Sequence, residues 1–341
     1  MPIQIAERFL HIRRKKNQQV MRNIARLWQI EKEVHSEQEL LDRLHPWGEV
    51  RDLKFYNGLS FILGISGGLW LVFGWFLRHY VPFPLCLVVG SFLIFIGYIC
   101  YEPDYPITGV VKFLEQRMMQ LRYGLKFGGV PSHLPAHTQS IYLLSHLKNL
   151  FPLFNQGSKS NQIHRYAVTD WQLEDKIIPI LLFEYTYVTE LTTSDDDGDQ
   201  VVLKSFEKKL WGAFIFDVPA FGLAISNQHT TFSEPYTERW YSSDIVMNEQ
   251  LQIYGIDAFN TAKQLSPSLT LKLDNFFKQF KGNLIFHADE RIACYLGEQN
   301  LFTVQSKKTE IQEISHLRGH LRTLGMLNYE KFKILMLKIL S

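Results

Sequence analysis

Cysteine is scarce in this chain, with only Cys86, Cys100 and Cys294 among 341 residues. Two of the three sit inside an apolar run, so no disulfide framework is readable and the spacing suits a reducing compartment. Excess charge is also missing. Lys and Arg number 36 against 34 Asp and Glu, a net charge of +2, which gives no electrostatic reason to expect nucleic acid. The sequence has no P-loop, dinucleotide fingerprint, nucleophile elbow or Cys-x-x-Cys, so no cofactor and no metal are expected. There is no internal repeat. Residues 1–56 are polar and helical in pattern, without the apolar centre and small-residue cleavage site of a signal peptide.

What the chain does have is two uncharged apolar runs, residues 59–77 and 83–101, each 19 residues long. A bilayer core of about 30 Å takes roughly 20 apolar residues as helix, so the pair reads as a transmembrane hairpin at 57–101 with a minimal tip. Neither run holds an ionisable side chain other than tyrosine or cysteine, which argues against a proton or ion path through it. Mean hydropathy over the whole chain is -0.09, too polar for a many-pass transporter.

Basic residues orient the hairpin. Residues 1–56 carry 11 Lys or Arg, and Lys112, Arg117, Arg122 and Lys126 follow the second run, whereas the tip carries Arg78 alone. The positive-inside rule then places both termini in the cytoplasm. Trp47, Phe55, Tyr56, Tyr80, Tyr98 and Tyr101 flank the runs as interface aromatics do. Gly64 and Gly68 in the first run, and Cys86 and Gly90 in the second, are four apart. That small-residue spacing suits close helix packing, within the hairpin or with another copy.

Residues 3–35 repeat apolar positions at steps of three and four and predict a basic amphipathic helix. Arg13, Arg14, Lys15 and Lys16 are its candidate contacts to anionic lipid. Ser36 with Glu39 predicts a capped second helix. A helix is expected over 108–125 and another near 140–150 in a helical connector spanning 102–162. From residue 163 to 325 the texture is that of a cytoplasmic α+β domain with antiparallel strands. Strands are expected at 177–189 and 201–216 around an Asp/Gly-rich turn, then at 223–226, 240–246, 251–254, 284–287 and 291–296. Ser266-Pro267 opens a helix. Residues 326–341 form a C-terminal amphipathic helix.

The strand-rich half carries an ordered set of short signatures. These are Leu210-Trp-Gly-Ala-Phe-Ile-Phe216, Leu251-Gln-Ile-Tyr-Gly-Ile-Asp257, Ala262-Lys-Gln-Leu-Ser-Pro267, Leu284-Ile-Phe-His-Ala288 and Ala293-Cys-Tyr-Leu-Gly297. In this order the chain resembles, over roughly residues 55–325, the bacterial membrane proteins grouped as domain of unknown function 3137. The resemblance implies a helical start, two adjacent spans and a C-terminal α+β region. It brings no agreed activity and no catalytic residues. Leu210 departs from the aromatic residue often found there.

Candidate sites are few. Asp195-Asp-Asp-Gly-Asp199 lacks the spacing of a calcium loop and reads as a solvated turn. His316 and His320 share a helix face, but Leu317 stands where a zinc-protease motif needs glutamate. His133 and His137 flank Pro135, and Asp289, Glu290 and Glu298 fall at turns. Phe232, Tyr236, Arg239 and Trp240 have the residue types of a binding hot spot and are the candidate partner contact. The expected function is therefore a membrane-anchored adaptor binding a partner protein or lipid, with self-association open. Alternatives are an accessory subunit of a larger membrane machine, or an enzyme that gathers His287, Asp289, Glu313, His316 and His320.

Overall fold

The computed structural model describes residues 15–45, 47, 51–76, 81–135, 138–194, 200–228, 230, 232–305 and 310–341. Its helices in chain order begin with α1 (Lys15–Glu33), α2 (Glu37–Arg43), α3 (Gly58–Phe76), α4 (Phe83–Ile99), α5 (Tyr105–Tyr123) and α6 (Ser140–Leu150). They continue with α7 (Ile245–Gln250), α8 (Ala258–Gln264), α9 (Pro267–Gln279), α10 (Ile314–Thr323) and α11 (Leu327–Leu340). The first strands are β1 (Lys126–Phe127), β2 (Ser160–Leu173), β3 (Lys176–Ser194), β4 (Gln200–Phe216) and β5 (Leu223–Ser226). The remaining four are β6 (Glu238–Trp240), β7 (Gln252–Gly255), β8 (Gly282–Phe286) and β9 (Ile292–Gly297). The chain divides into two compact units, one of residues 1–121 with 306–324 and one of residues 122–305 with 325–341.

The first unit is helical. α1 buries Val20, Ile24, Leu27 and Ile30 on one stripe, the amphipathic face that the sequence predicts. Two asparagines on that stripe tie down the chain that leads into α3. Asn23 Nδ2 donates to Asp52 O at 3.0 Å, and Asn17 Oδ1 accepts from the Tyr56 amide at 2.9 Å. The α1 stripe is thus buried within its own unit. Ser36 caps α2 by accepting from the Glu39 amide, and the Glu39 carboxylate reaches back to the His35 amide at 3.0 Å. That amide bond is the main reason the Glu39 carboxyl lies below the usual carboxylate range. Residues 51–53 pair with 312–314 through the amides of Leu53 and Ile314, which joins the start of α10 to this unit.

The second unit is built on one nine-stranded antiparallel sheet in the order β1-β2-β3-β4-β9-β8-β5-β7-β6. Leu181, Phe183 and Tyr185 of β3, with Leu210, Phe214 and Phe216 of β4, bury one face with α6 and the turn at Phe151–Phe154. Phe183 and Phe214 stack at 4.6 Å, with Phe154 at 5.7 Å from each. The opposite face carries Trp171 and Tyr295 against Phe276 and Phe280 of the α9 region and Phe332 of α11. A strand covered on both faces has no solvated side to alternate with. That explains why Ile178 to Phe183 reads as an almost unbroken apolar run. Pro179 lies one residue beyond the last β3–β4 pair, Ile180 with Ile215, so its missing amide costs that ladder nothing. Gly212 pairs with Phe183, and a Cβ there would strike both the Phe183 ring and Tyr295 O.

Candidate membrane segment and interaction surfaces

α3 and α4 pack antiparallel. A Cβ on Gly97 would lie 2.9 Å from Ser60 O, one on Gly67 would lie 2.6 Å from Gly90 O, and one on Gly74 would strike Cys86. The buried positions are Ser60, Gly67 and Gly74 on α3 and Cys86, Gly90 and Gly97 on α4. On α3 they recur every seven residues, the period of a small-residue seam along one helix face. Large apolar residues point the other way. Ile62 and Ile65 are each 63 % exposed, Phe76 is 73 %, and Val88 is 63 %. A water-soluble helix pair reverses this arrangement, burying its large side chains.

Length separates the two helices. Among the described residues α3 alone, at 19 residues, is long and apolar enough to cross a membrane. α4 is as apolar but has 17 residues, because Cys100 caps it and residue 101 lies outside the helix that the sequence predicts to continue. Asn57 clamps the open end of the pair. Its Nδ2 donates to Glu102 O at 2.8 Å, and its Oδ1 accepts from the Glu102 amide at 3.0 Å.

Of the four small residues named from the sequence, Cys86 and Gly90 lie in the seam. Gly64 borders it through its backbone, its amide nitrogen lying 3.2 Å from where a Cβ on Gly97 would stand, although a Cβ on Gly64 itself, like one on Gly68, would meet nothing within 4 Å. The seam uses Gly67 and Gly74 instead. Of the lipid candidates, Arg13 and Arg14 fall outside the described residues. Lys15 and Lys16 are exposed at the start of α1. The Lys16 ammonium lies 4.8 Å from the centre of the Tyr56 ring, two residues before α3.

The four partner-contact candidates separate. Tyr236 is only 1 % exposed, and its hydroxyl donates to Phe286 O at 3.3 Å. Burial first, then the charge of Asp289, pushes its phenol well above the ordinary value. It is a core residue and offers no surface. Phe232 packs edge-on against Tyr254 at 5.6 Å. Arg239 and Trp240 lie on β6, the edge strand of the sheet. The Arg239 guanidinium covers the exposed Tyr241 ring at 4.7 Å. Ile245, Val246 and Phe259, on α7 and α8, are also exposed, Phe259 by 79 %.

The titratable groups named from the sequence do not assemble a metal centre: among the described residues no three His, Cys, Asp or Glu could hold an ion. His287 Nδ1 accepts the amides of Asp289 and Glu290 at 3.2 and 2.9 Å, so it shapes the β8–β9 turn. His320 meets Glu115, not Glu313, at 2.6 Å, and is nearly buried. Glu313 accepts from Ser315 Oγ, and His316 is exposed. His133 lies 4.8 Å from the Phe216 ring. His137 and residues 195–199 fall outside the described residues. Comparison with protein-family models, with curated proteins and with solved structures finds no match.

Proposed function

We propose that this chain is a bacterial inner-membrane adaptor. α3 and α4 cross the bilayer as a hairpin, both termini lie on the cytoplasmic side, and the α+β unit binds a partner protein or lipid. The observation that carries the membrane part is the reversed packing of the hairpin, with glycine and serine inside and isoleucine, phenylalanine and tryptophan outside. At 1.5 Å per residue the helices span about 29 and 26 Å, close to a hydrocarbon core of about 30 Å. The basic residues flanking the hairpin support the orientation. Lys16, beside the Tyr56 ring, and its chain neighbour Lys15 would lie at the headgroup level. The bacterial assignment rests on the resemblance of the ordered motifs at 210–297 to those of domain of unknown function 3137.

For the partner part, the support is the β6 edge strand with Arg239, Trp240 and Tyr241 beside exposed apolar side chains on α7 and α8. An edge strand presents unpaired backbone groups, and aromatic residues with arginine suit a protein interface. The open space beside the Cα of Gly64 and Gly68 favours a second reading, an accessory subunit whose α3 packs on another membrane helix. Alkaline carbonate extraction of membranes from cells expressing the full chain tests the anchor. The protein should stay in the pellet; release into the supernatant would overturn the membrane reading.

A further inference from the structure

α9 and α11 lie together on the sheet face that carries Trp171 and Tyr295. Phe276 of α9 and Phe280 just beyond it meet Phe332, in the first half of α11, at 5.8 and 5.6 Å. Leu271 and Lys272, earlier in α9, share a shallow groove of about 220 Å³ with Leu335 and Lys338. The two helices therefore run antiparallel. Their inward stripes are buried, Leu273, Phe276 and Phe277 on α9 and Phe332, Met336 and Ile339 on α11. Their outward stripes are not uniformly polar. Leu271 is 70 % exposed. Ile334 is 56 % exposed and stands between Lys331 and Lys338, at steps of three and four on one face.

Free charge on this helix pair has one sign. Residues 267–279 and 327–340 hold five lysines and two acids. Both acids are engaged, Asp274 with Lys278 at 2.6 Å and Glu330 with the Tyr123 hydroxyl. Lys272, Lys331 and Lys338 form no ion pair among the described residues. Neither helix contains Trp or Arg, and their one tyrosine, Tyr329, is buried. The residue types that anchor protein interfaces are thus missing from this face. A lipid surface asks for different chemistry. Lysine ammonium groups on flexible stems reach headgroup phosphates without a fixed geometry. Aliphatic side chains beside them enter the headgroup boundary, and unopposed positive charge matches an anionic leaflet.

We propose that the outer face of α9 and α11 docks on an anionic lipid surface. Leu271 and Ile334 enter the interface, and Lys272, Lys331 and Lys338 meet the headgroup phosphates. This deepens the function proposed above by naming lipid as what this face binds. It rests on that membrane reading, because the hairpin is what holds the α+β unit beside a bilayer.

The test uses the full chain in liposomes of phosphatidylcholine, with and without phosphatidylglycerol. Leu271→Cys and Ile334→Cys, each in a background lacking Cys86, Cys100 and Cys294, carry a polarity-sensitive fluorophore. Both positions are exposed, so the labelled chains should keep the parent circular dichroism spectrum. Phosphatidylglycerol should shift both labels to the blue, and high salt should reverse the shift. Each lysine should be worth about fivefold in the docking equilibrium. Lys338→Gln should therefore weaken the shift, and Gln at 272, 331 and 338 together should abolish it. Lys263→Gln, an exposed lysine of α8, should leave it unchanged. No shift in anionic liposomes overturns the proposal, as does an equal shift in phosphatidylcholine alone or one that survives the triple variant. A shift that depends on protein density and not on phosphatidylglycerol marks a second copy as the occupant and also overturns it. The same label at Ile65→Cys separates the two readings. A lipid-buried Ile65 label with aqueous labels at 271 and 334 refutes the docking face and leaves the anchor standing, whereas an aqueous Ile65 label refutes both.

Discussion

Replacing Gly67 with alanine should loosen the α3–α4 hairpin, whereas the same change at Gly68, one residue along, should not. At Gly67 the new methyl would lie 2.6 Å from Gly90 O, 2.8 Å from Ile94 Cγ1 and 3.0 Å from Ile94 N. Two of the three neighbours are backbone, which no rotamer change can move, so the helices must separate. At Gly68 nothing lies within 4 Å. Both changes raise helix propensity equally, by about 1 kcal/mol in an exposed soluble helix, so that contribution cancels between the variants. Forcing a methylene into a packed contact costs about 1–3 kcal/mol. Gly67→Ala should therefore be less stable than Gly68→Ala by that amount. The assay is reversible denaturant unfolding of the full chain in mixed micelles, followed by Trp fluorescence and compared as midpoints. Equal midpoints, or a lower one for Gly68→Ala, would refute the assigned seam.

Asn57→Ala removes both side-chain bonds to the Glu102 backbone at the open end of the hairpin. We expect a loss of about 1–3 kcal/mol in the same unfolding assay, with Asn57→Asp recovering only the contact to the amide. Trp171→Phe deletes the 2.9 Å bond from the indole Nε1 to the Tyr329 hydroxyl in the second unit. The buried Tyr329 phenol loses one of two side-chain partners and keeps Thr169, so thermal unfolding should show a loss of about 0.5–1.5 kcal/mol without loss of strand signal. Tyr123 donates to Glu330 and also accepts from the Met326 amide at 3.0 Å. Burial, and then the Glu330 bond, push its phenol from an ordinary value of 10.0 up to about 12. The folded state thus holds this proton more tightly than the unfolded chain, so its contribution is intact below pH 10 and is lost as pH rises through about 12. Tyr123→Phe should flatten the stability profile in that window, read by circular dichroism alongside tyrosinate absorbance; an unchanged slope would contradict the assignment.

Much of the fold follows from local patterns in the chain. The apolar run 177–189 and its partner 201–216 form β3 and β4, and Ser266-Pro267 opens α9, with Ser266 accepting from the Leu269 amide. β2 was not legible as a strand. Its register shifts between Ile163 and Arg165, so inward positions change parity and the alternation that marks a strand is broken. Residues 240–246 read as strand, but the Asp244 carboxylate accepts from the amides of Val246 and Met247 and starts α7 instead. Strand pairing therefore stops at Trp240. The hairpin seam was half legible. Gly64, Gly67 and Gly68 offer overlapping spacings in one helix. Choosing among them requires the register of α4, which a single helix does not contain. Tyr236 looked like a surface aromatic because its hydroxyl partner, Phe286 O, is 50 residues away.

The most direct measurement is spin-label accessibility in liposomes. Single cysteines at Ile65, Leu69, Val88 and Phe92, on the exposed faces of α3 and α4, would be placed in a background lacking Cys86, Cys100 and Cys294, with Asp175, exposed in the β2–β3 turn, as the aqueous reference. If the outward faces lie in lipid, oxygen collision should be high at all four sites and a water-soluble nickel complex should be excluded from them, whereas Asp175 should show the opposite. Nickel accessibility at Ile65 and Phe92 equal to that at Asp175 would place these faces in water and contradict the account.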